Sequence, residues 1–255
     1  MSMKCFLCFI LGVIPNLLYA QAPHFIESAQ LEVKYNVHSG KDADSYILRC
    51  GKNTSEYFSY DNYSYDSLSN TGDDTYVMMR ITQDLEHMKH PDDDSKRLPG
   101  SPGHSDYLYR NLVKNKMSVY TGISGSHLVY EENIPAIDWK ICPDSTTTIM
   151  GYTCLLAKTH FRGRDWEAWY APDISVALGP WKFSGLPGLI LQADCKDYMH
   201  IKACGLNTKD LSPVKFYNFN NYKYERIDRV KFLRSRSNPK AYPPKTIMIP
   251  QMELE

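Results

Sequence analysis

The sequence lacks an excess of charge of either sign. Over 255 residues, 29 Lys and Arg stand against 29 Asp and Glu. A neutral chain offers no basic face to the phosphates of DNA or RNA, so no nucleic-acid partner is expected. Long hydrophobic runs are also missing. Cys5 to Ile14 is a run of ten, about half of what a membrane-crossing helix needs (~20 residues), so no transmembrane span is expected. Beyond residue 20 no CxxC is present, and Cys5-Phe6-Leu7-Cys8 lies inside the apolar run, so a thioredoxin-like or zinc-ribbon reading has no support. The serine-hydrolase elbow G-x-S-x-G is absent as well. Gly122-Ile123-Ser124-Gly125-Ser126-His127 has the wrong spacing for it. There is no internal repeat. With 43% apolar and 23% charged residues, the composition is that of a globular chain and excludes wholesale disorder.

What is present begins with an export signal. Lys4 gives a one-charge start, the apolar run follows, Pro15 and Asn16 break it, and Leu18-Tyr19-Ala20 ends on a small residue. This is the pattern of a secretory signal peptide over residues 1–20. Gln21 follows the cut, where a bacterial lipoprotein would carry a cysteine. The expectation is an exported protein of the cell envelope, periplasmic or outer-membrane associated. The remaining 235 residues hold 28 basic and 29 acidic side chains and five cysteines: Cys50, Cys142, Cys154, Cys195 and Cys204. Five is odd, so at least one thiol has no partner within the chain, and the pairing stays open. Cys195 and Cys204 flank a turn, but a turn at Lys196-Asp197 puts them too far apart along the ladder for disulfide geometry.

Beyond the signal the chain reads as short strands. Leu31, Val33, Tyr35 and Val37 alternate with Glu32, Lys34 and Asn36, the period of a half-buried strand. Ser45–Cys50, Asn115–Tyr130, Ile137–Cys142, Thr146–His160 and Phe161–Tyr170 continue the theme. Leu189–Ala193 and Tyr198–Cys204 form the clearest hairpin. Tyr222–Arg234 is the best helix candidate. Thr75–Leu85 is ambiguous between strand and helix, and residues 66–75 and 89–104 read as loops. The fold class is therefore mainly β, an antiparallel curved sheet or half-barrel with one or two short helices. A single β-rich domain is expected over 21–235. A poorly ordered tail is expected over 236–255, where Pro239, Pro243, Pro244 and Pro250 leave no core pattern and few buried contacts.

Residues 151–194 carry the most distinctive pattern. Gly185-Leu186-Pro187-Gly188-Leu189-Ile190 is preceded by Phe161-Arg162-Gly163-Arg164, Ala168-Trp169-Tyr170 and Gly179-Pro180-Trp181-Lys182-Phe183. The combination resembles the GLPGLI family of secreted Bacteroidota proteins, whose function is uncharacterised. The resemblance implies export and a bacterial context, in which the acceptors Asn53-Thr54-Ser55 and Asn62-Tyr63-Ser64 carry no weight. It implies no activity. Where that family often has a cysteine before Phe-Arg-Gly-Arg, this chain has His160. Read by itself, the hexapeptide is a turn that plugs into a core. Pro187 presets φ and Gly188 supplies φ > 0, which predicts a type II turn.

At period two, Arg162, Arg164, Trp166, Ala168 and Tyr170 share one face of a strand. Arginines beside large rings make a stacking and anion-binding surface, so Arg162, Arg164, Trp166, Tyr170 and Trp181 are the ligand-binding candidates. The competing reading is a packing face whose arginines pair with acids. Asp165 and Glu167 share the opposite face, and as paired carboxylates they are the weak catalytic candidates. His87 and His90, beside Met88 and Asp92-Asp93-Asp94, are the weak metal candidates. No cofactor is expected. The reading is a non-catalytic module that binds an envelope protein or a small apolar or anionic ligand. The alternative is an envelope hydrolase using Asp/Glu or His chemistry. N-terminal sequencing of the protein from an envelope fraction is expected to begin at Gln21 or within a few residues of it. A full-length cytoplasmic product overturns the export reading.

Overall fold

The computed structural model describes residues 23–39, 42–71, 74–89, 106–196, 198–242 and 251–254. The expected signal peptide and His90 lie outside them. The strands are β1 (His24–Glu27), β2 (Leu31–Ser39), β3 (Asp42–Cys50), β4 (Thr54–Ser59), β5 (Tyr107–Asn111), β6 (Lys116–Ile123), β7 (Ser126–Asn133), β8 (Lys140–Ile149), β9 (Tyr152–Phe161), β10 (Arg164–Ala171), β11 (Leu189–Cys195), β12 (Met199–Asn207), β13 (Val214–Phe216) and β14 (Glu225–Arg226). Three helices accompany them: α1 (Tyr60–Ser69), α2 (Asp74–Lys89) and α3 (Arg229–Arg236). None is long and apolar enough to cross a membrane.

Twelve strands form one curved sheet, in the order β14-β7-β6-β5-β4-β3-β2-β12-β11-β10-β9-β8. Each pair is antiparallel except β14 with β7, and the sheet is not closed into a barrel. The alternation in β2 sets the inner face. Leu31, Val33, Tyr35 and Val37 point inward and are opposed by Cys50, Leu48, Tyr46 and Asp44 of β3. The same parity carries Tyr57, Leu108, Val119 and Tyr130 across β4 to β7. On the other side of β2 it carries Ala203 and Ile201 into β12. α3 covers part of this face through the buried Phe232, whose ring lies 5.2 Å from that of Tyr130.

Three hairpins turn on two residues with positive φ: Ser124-Gly125, Met150-Gly151 and Arg162-Gly163. Both residues of a type I′ turn need that region, and glycine at the second makes it accessible. Ser124 is thus a turn residue. Arg162 belongs to the β9–β10 turn and not to a strand, a correction to the five-residue strand face.

The helical content also differs from the sequence expectation. The tyrosine-rich run divides at Ser59, whose side chain caps α1 by accepting from the Asn62 N–H at 3.2 Å. α1 then continues to Ser69, into the stretch expected to be loop. A capped start overrides the Ser/Asn composition that suggested a turn. The C-terminal helix is shorter than 222–234, because residues 225–226 are drawn into pairing with β7. All five described cysteines are free thiols. Cys195 faces Met199, and Cys204 sits at a register shift between Ala203 and Gly205.

Residues 251–254 depart from the expectation of few buried contacts. Glu253 is buried, and the Leu254 N–H donates to the Arg162 carbonyl at 3.1 Å. These contacts are polar, so no apolar periodicity announces them.

Asp44 sits on the inner face near the α1 cap, accepting from the Ser45 N–H at 2.6 Å and from Ser59 Oγ at 3.2 Å. Burial, aided by the neighbouring Asp61, pushes its carboxyl up to about 7 against the hydrogen bond from Ser59. A raised acid favours the folded state when protonated. Its contribution is therefore full below about pH 4 and lost as pH rises to about 7. Asp44→Asn is expected to flatten the fall in stability over that window, read as urea midpoints at pH 4, 5.5 and 7.5.

Candidate functional site: an inner cavity closed by a charge cluster

The loop between β10 and β11 shapes one end of the inner face. Pro180 opens a turn closed by the Phe183 N–H donating to its carbonyl at 3.1 Å. Trp181, at φ 49°, packs in a cluster of rings with Phe161, Trp166 and Phe183. The hexapeptide follows. Leu186, Leu189 and Ile190 are buried, while Gly185 and Pro187 are exposed. The turn is tighter than type II. The Gly188 N–H donates to the Leu186 carbonyl at 2.8 Å across Pro187, an inverse γ-turn, and Gly188 has φ 154°. A Cβ on Gly188 would stand 2.3 Å from the Ala171 carbonyl oxygen. The close approach, more than a turn type, requires glycine there.

Two buried cations hold this loop. Arg110 of β5 is 1% exposed and donates to Ser55 Oγ at 3.3 Å and to the carbonyls of Gly179 and Trp181. Its partners are neutral, and burial lowers its pKa to about 10. Lys182, also 1% exposed, enters an ion cluster. Its ammonium meets Glu132 of β7 at 2.5 Å and the Glu253 carboxylate. Arg162 pairs with Glu132, and its Nε lies 3.9 Å from Glu253. Arg229 of α3 donates to Glu253 from Nε at 2.9 Å and from Nη2 at 2.8 Å, and lies 3.6 Å from Glu132. Three cations thus surround two carboxylates. Sequence reasoning had picked out Arg162 alone, because the other four lie far from it in the chain.

Beside the cluster is a cavity of about 80 Å³. Tyr57, Leu108, Val119 and Ile201 form its floor, and Phe232 and Leu233 of α3 form its roof. At its edge are Trp181, Lys182, Asp106, Arg236 and residues 251–253. Arg236 Nη1 stands 3.5 Å from Asp106. Most of the lining side chains are apolar, with Asp106, Lys182, Arg236 and Glu253 the charged ones among them.

The sequence candidates divide between the two faces. Trp166 and Tyr170 are buried on the inner side. Arg164 is half-buried, stacks 3.7 Å over Tyr198 and donates to the Gln251 carbonyl at 2.5 and 3.2 Å. Of the five ligand candidates, Trp181 lines the cavity, and Arg162 and Arg164 hold the segment that bounds it. Asp165 and Glu167 are exposed on the outer face. Asp165 meets His160 Nδ1 at 2.7 Å, and Glu167 meets Lys158 at 2.5 Å. These acids and Asp194 border an open outer groove, on the opposite face of the sheet from the cavity. His87 falls in α2, and no group of three or more His, Cys, Asp or Glu side chains able to hold a metal occurs among the described residues.

The chain is a mainly β protein with an open curved sheet and an inner cavity. Residues 157–192 match a family described as a protein of unknown function (Porph_ging). That match takes in the strands and loop bearing the motif. No curated protein matches the chain. Among solved structures, PNGF-II in a C2 crystal form aligns over 80% of this chain at 14% identity and a TM-score of 0.51. PNGF-II in a P21 form aligns over 81% at 14% identity and 0.53. The chain spans about a third of the length of these PNGF-II chains. At that identity the likeness is one of fold. The Pseudomonas aeruginosa MucA/MucB complex aligns over 72% of this chain and 53% of its own at 7% identity and 0.36, below the level of a shared fold.

Removing the buried Lys182 leaves the Glu132 and Glu253 carboxylates short of a partner. Lys182→Met is expected to cost ~3–5 kcal/mol. Lys158→Met, at the exposed pair with Glu167, is expected to leave stability nearly unchanged. Urea denaturation of the two variants separates a structural cluster from solvated charge.

Proposed function

We propose that this is a non-catalytic binding module of the cell envelope, exported by its N-terminal signal, which takes a small, largely apolar ligand into the cavity under α3. The observation that carries the reading is the cavity itself, a mostly apolar space of about 80 Å³ with a few charged groups in its lining. Concave, mostly apolar sites with a few placed polar groups are the usual form of a small-molecule site. About 10–15 Å³ by this measure holds one water, so the space exceeds a hydration site several-fold. The match to a family of unknown function and the fold likeness to PNGF-II are compatible with such a module and assign no chemistry. The hydrolase alternative would use Asp165 and Glu167. Both are exposed, engaged by His160 and Lys158, and on the other side of the sheet from the cavity.

The test is calorimetric titration with 1-octanol as an apolar probe. Wild type is expected to bind it. Val119→Phe, which fills the floor of the cavity, is expected to lose the binding while changing stability by no more than ~1–3 kcal/mol. Equal binding by wild type and Val119→Phe, or no binding by wild type, overturns the reading.

A further inference from the structure

Lys182 and Glu253 line the cavity, and Glu253 reaches it from outside the sheet. The segment 251–254 is laid across the opening by its backbone, through Leu254 N–H to Arg162 and through Arg164 to the Gln251 carbonyl. Its one buried side chain is the Glu253 carboxylate. That carboxylate takes both guanidinium donors of Arg229 on one oxygen and the Lys182 ammonium on the other. Without it, Lys182 and Arg229 would each lose a carboxylate partner. The Lys182 ammonium, which is fully buried, would keep only Glu132 of its two carboxylates, and a low-dielectric setting makes such a loss costly. The motif loop and α3 thus hold a carboxylate between Lys182 and Arg229, and residue 253 supplies it.

Resting on the binding-module reading above, we propose that the ligand is a small amphiphile with a carboxylate head. Its head takes the place of Glu253 between Lys182 and Arg229, and its apolar chain runs under Phe232 and Leu233. Geometry supports this placement. The head site and the apolar space are continuous through Lys182, whose ammonium also lies 5.0 Å from the Tyr130 ring. Glu253 is then an internal competitor. A tethered carboxylate acts at an effective concentration of roughly millimolar or above, so its removal strengthens binding of an external one. A neutral amphiphile does not compete for the cations and leaves Glu253 in place.

The experiment compares octanoate with 1-octanol on the full chain. In calorimetry, octanoate is expected to bind Glu253→Gln at least tenfold more tightly than wild type, while 1-octanol binds both within a factor of two. In wild type, octanoate is expected to speed hydrogen exchange at the Leu254 amide, and 1-octanol is not. The exchange measurement needs no variant, so it decides the matter even if Glu253→Gln does not fold. If octanol binds but octanoate gains nothing in the variant and leaves Leu254 exchange unchanged, the carboxylate head is overturned and the apolar cavity stands. If neither binds, both readings fall.

Discussion

Five charged side chains, brought together from across the chain, hold the layers of this protein together. Glu132 comes from the sheet, Arg162 from a hairpin turn, Lys182 from the motif loop, Arg229 from the short helix and Glu253 from the end of the chain. Each would be costly to bury alone, and each is satisfied only when the other elements are in place. The cluster therefore acts as a joint requirement. The loop cannot close the inner face unless the helix lies on it, and the helix gains its polar anchor from the terminal segment. Such coupling makes contacts that are individually modest cooperative.

The two sides of the sheet use charge differently. On the inner side, ions are few, buried and shared. On the outer side, Arg49 ties Glu32, Glu56 and the Tyr217 hydroxyl into a brace under the 214–219 segment. Elsewhere on that side the pairs are open to water, as at His160–Asp165. Solvated pairs add little stability. The outer groove is consequently a place where side chains can vary, and the inner cavity is not.

Strand alternation made the sheet legible. Leu31 to Val37 follow a period of two, which a strand with one buried face explains, while Leu189 to Leu191 are apolar and buried in succession, as in a strand covered on both faces. The turns were half legible. Met150-Gly151 and Arg162-Gly163 are X-Gly dipeptides between strands, but only the left-handed φ values show that they are type I′. α1 and α2 were poorly legible, because their apolar residues do not form a clean stripe. Leu68, Met78, Met79 and Leu85 remain exposed. At the site, Arg162 and Trp181 could be named from their residue types. Arg110, Glu132, Arg229 and Glu253 could not. Their roles arise from pairing across dozens of positions, up to nearly a hundred between Glu132 and Arg229, and no local pattern encodes such a distance.

The pairing of β2 with β12 matches Val33 with Leu206 and His38 with His200. The middle of the sheet is thus a seam between the two ends of the sequence. A chain emerging in order can form the meander from β2 to β7 early, but that array keeps one open edge at β2 until β12 arrives. Contacts of such separation make folding slow, because loop-closure entropy is spent before the pairing rewards it. The seam that joins the two halves of the sheet is therefore also its slowest joint to make.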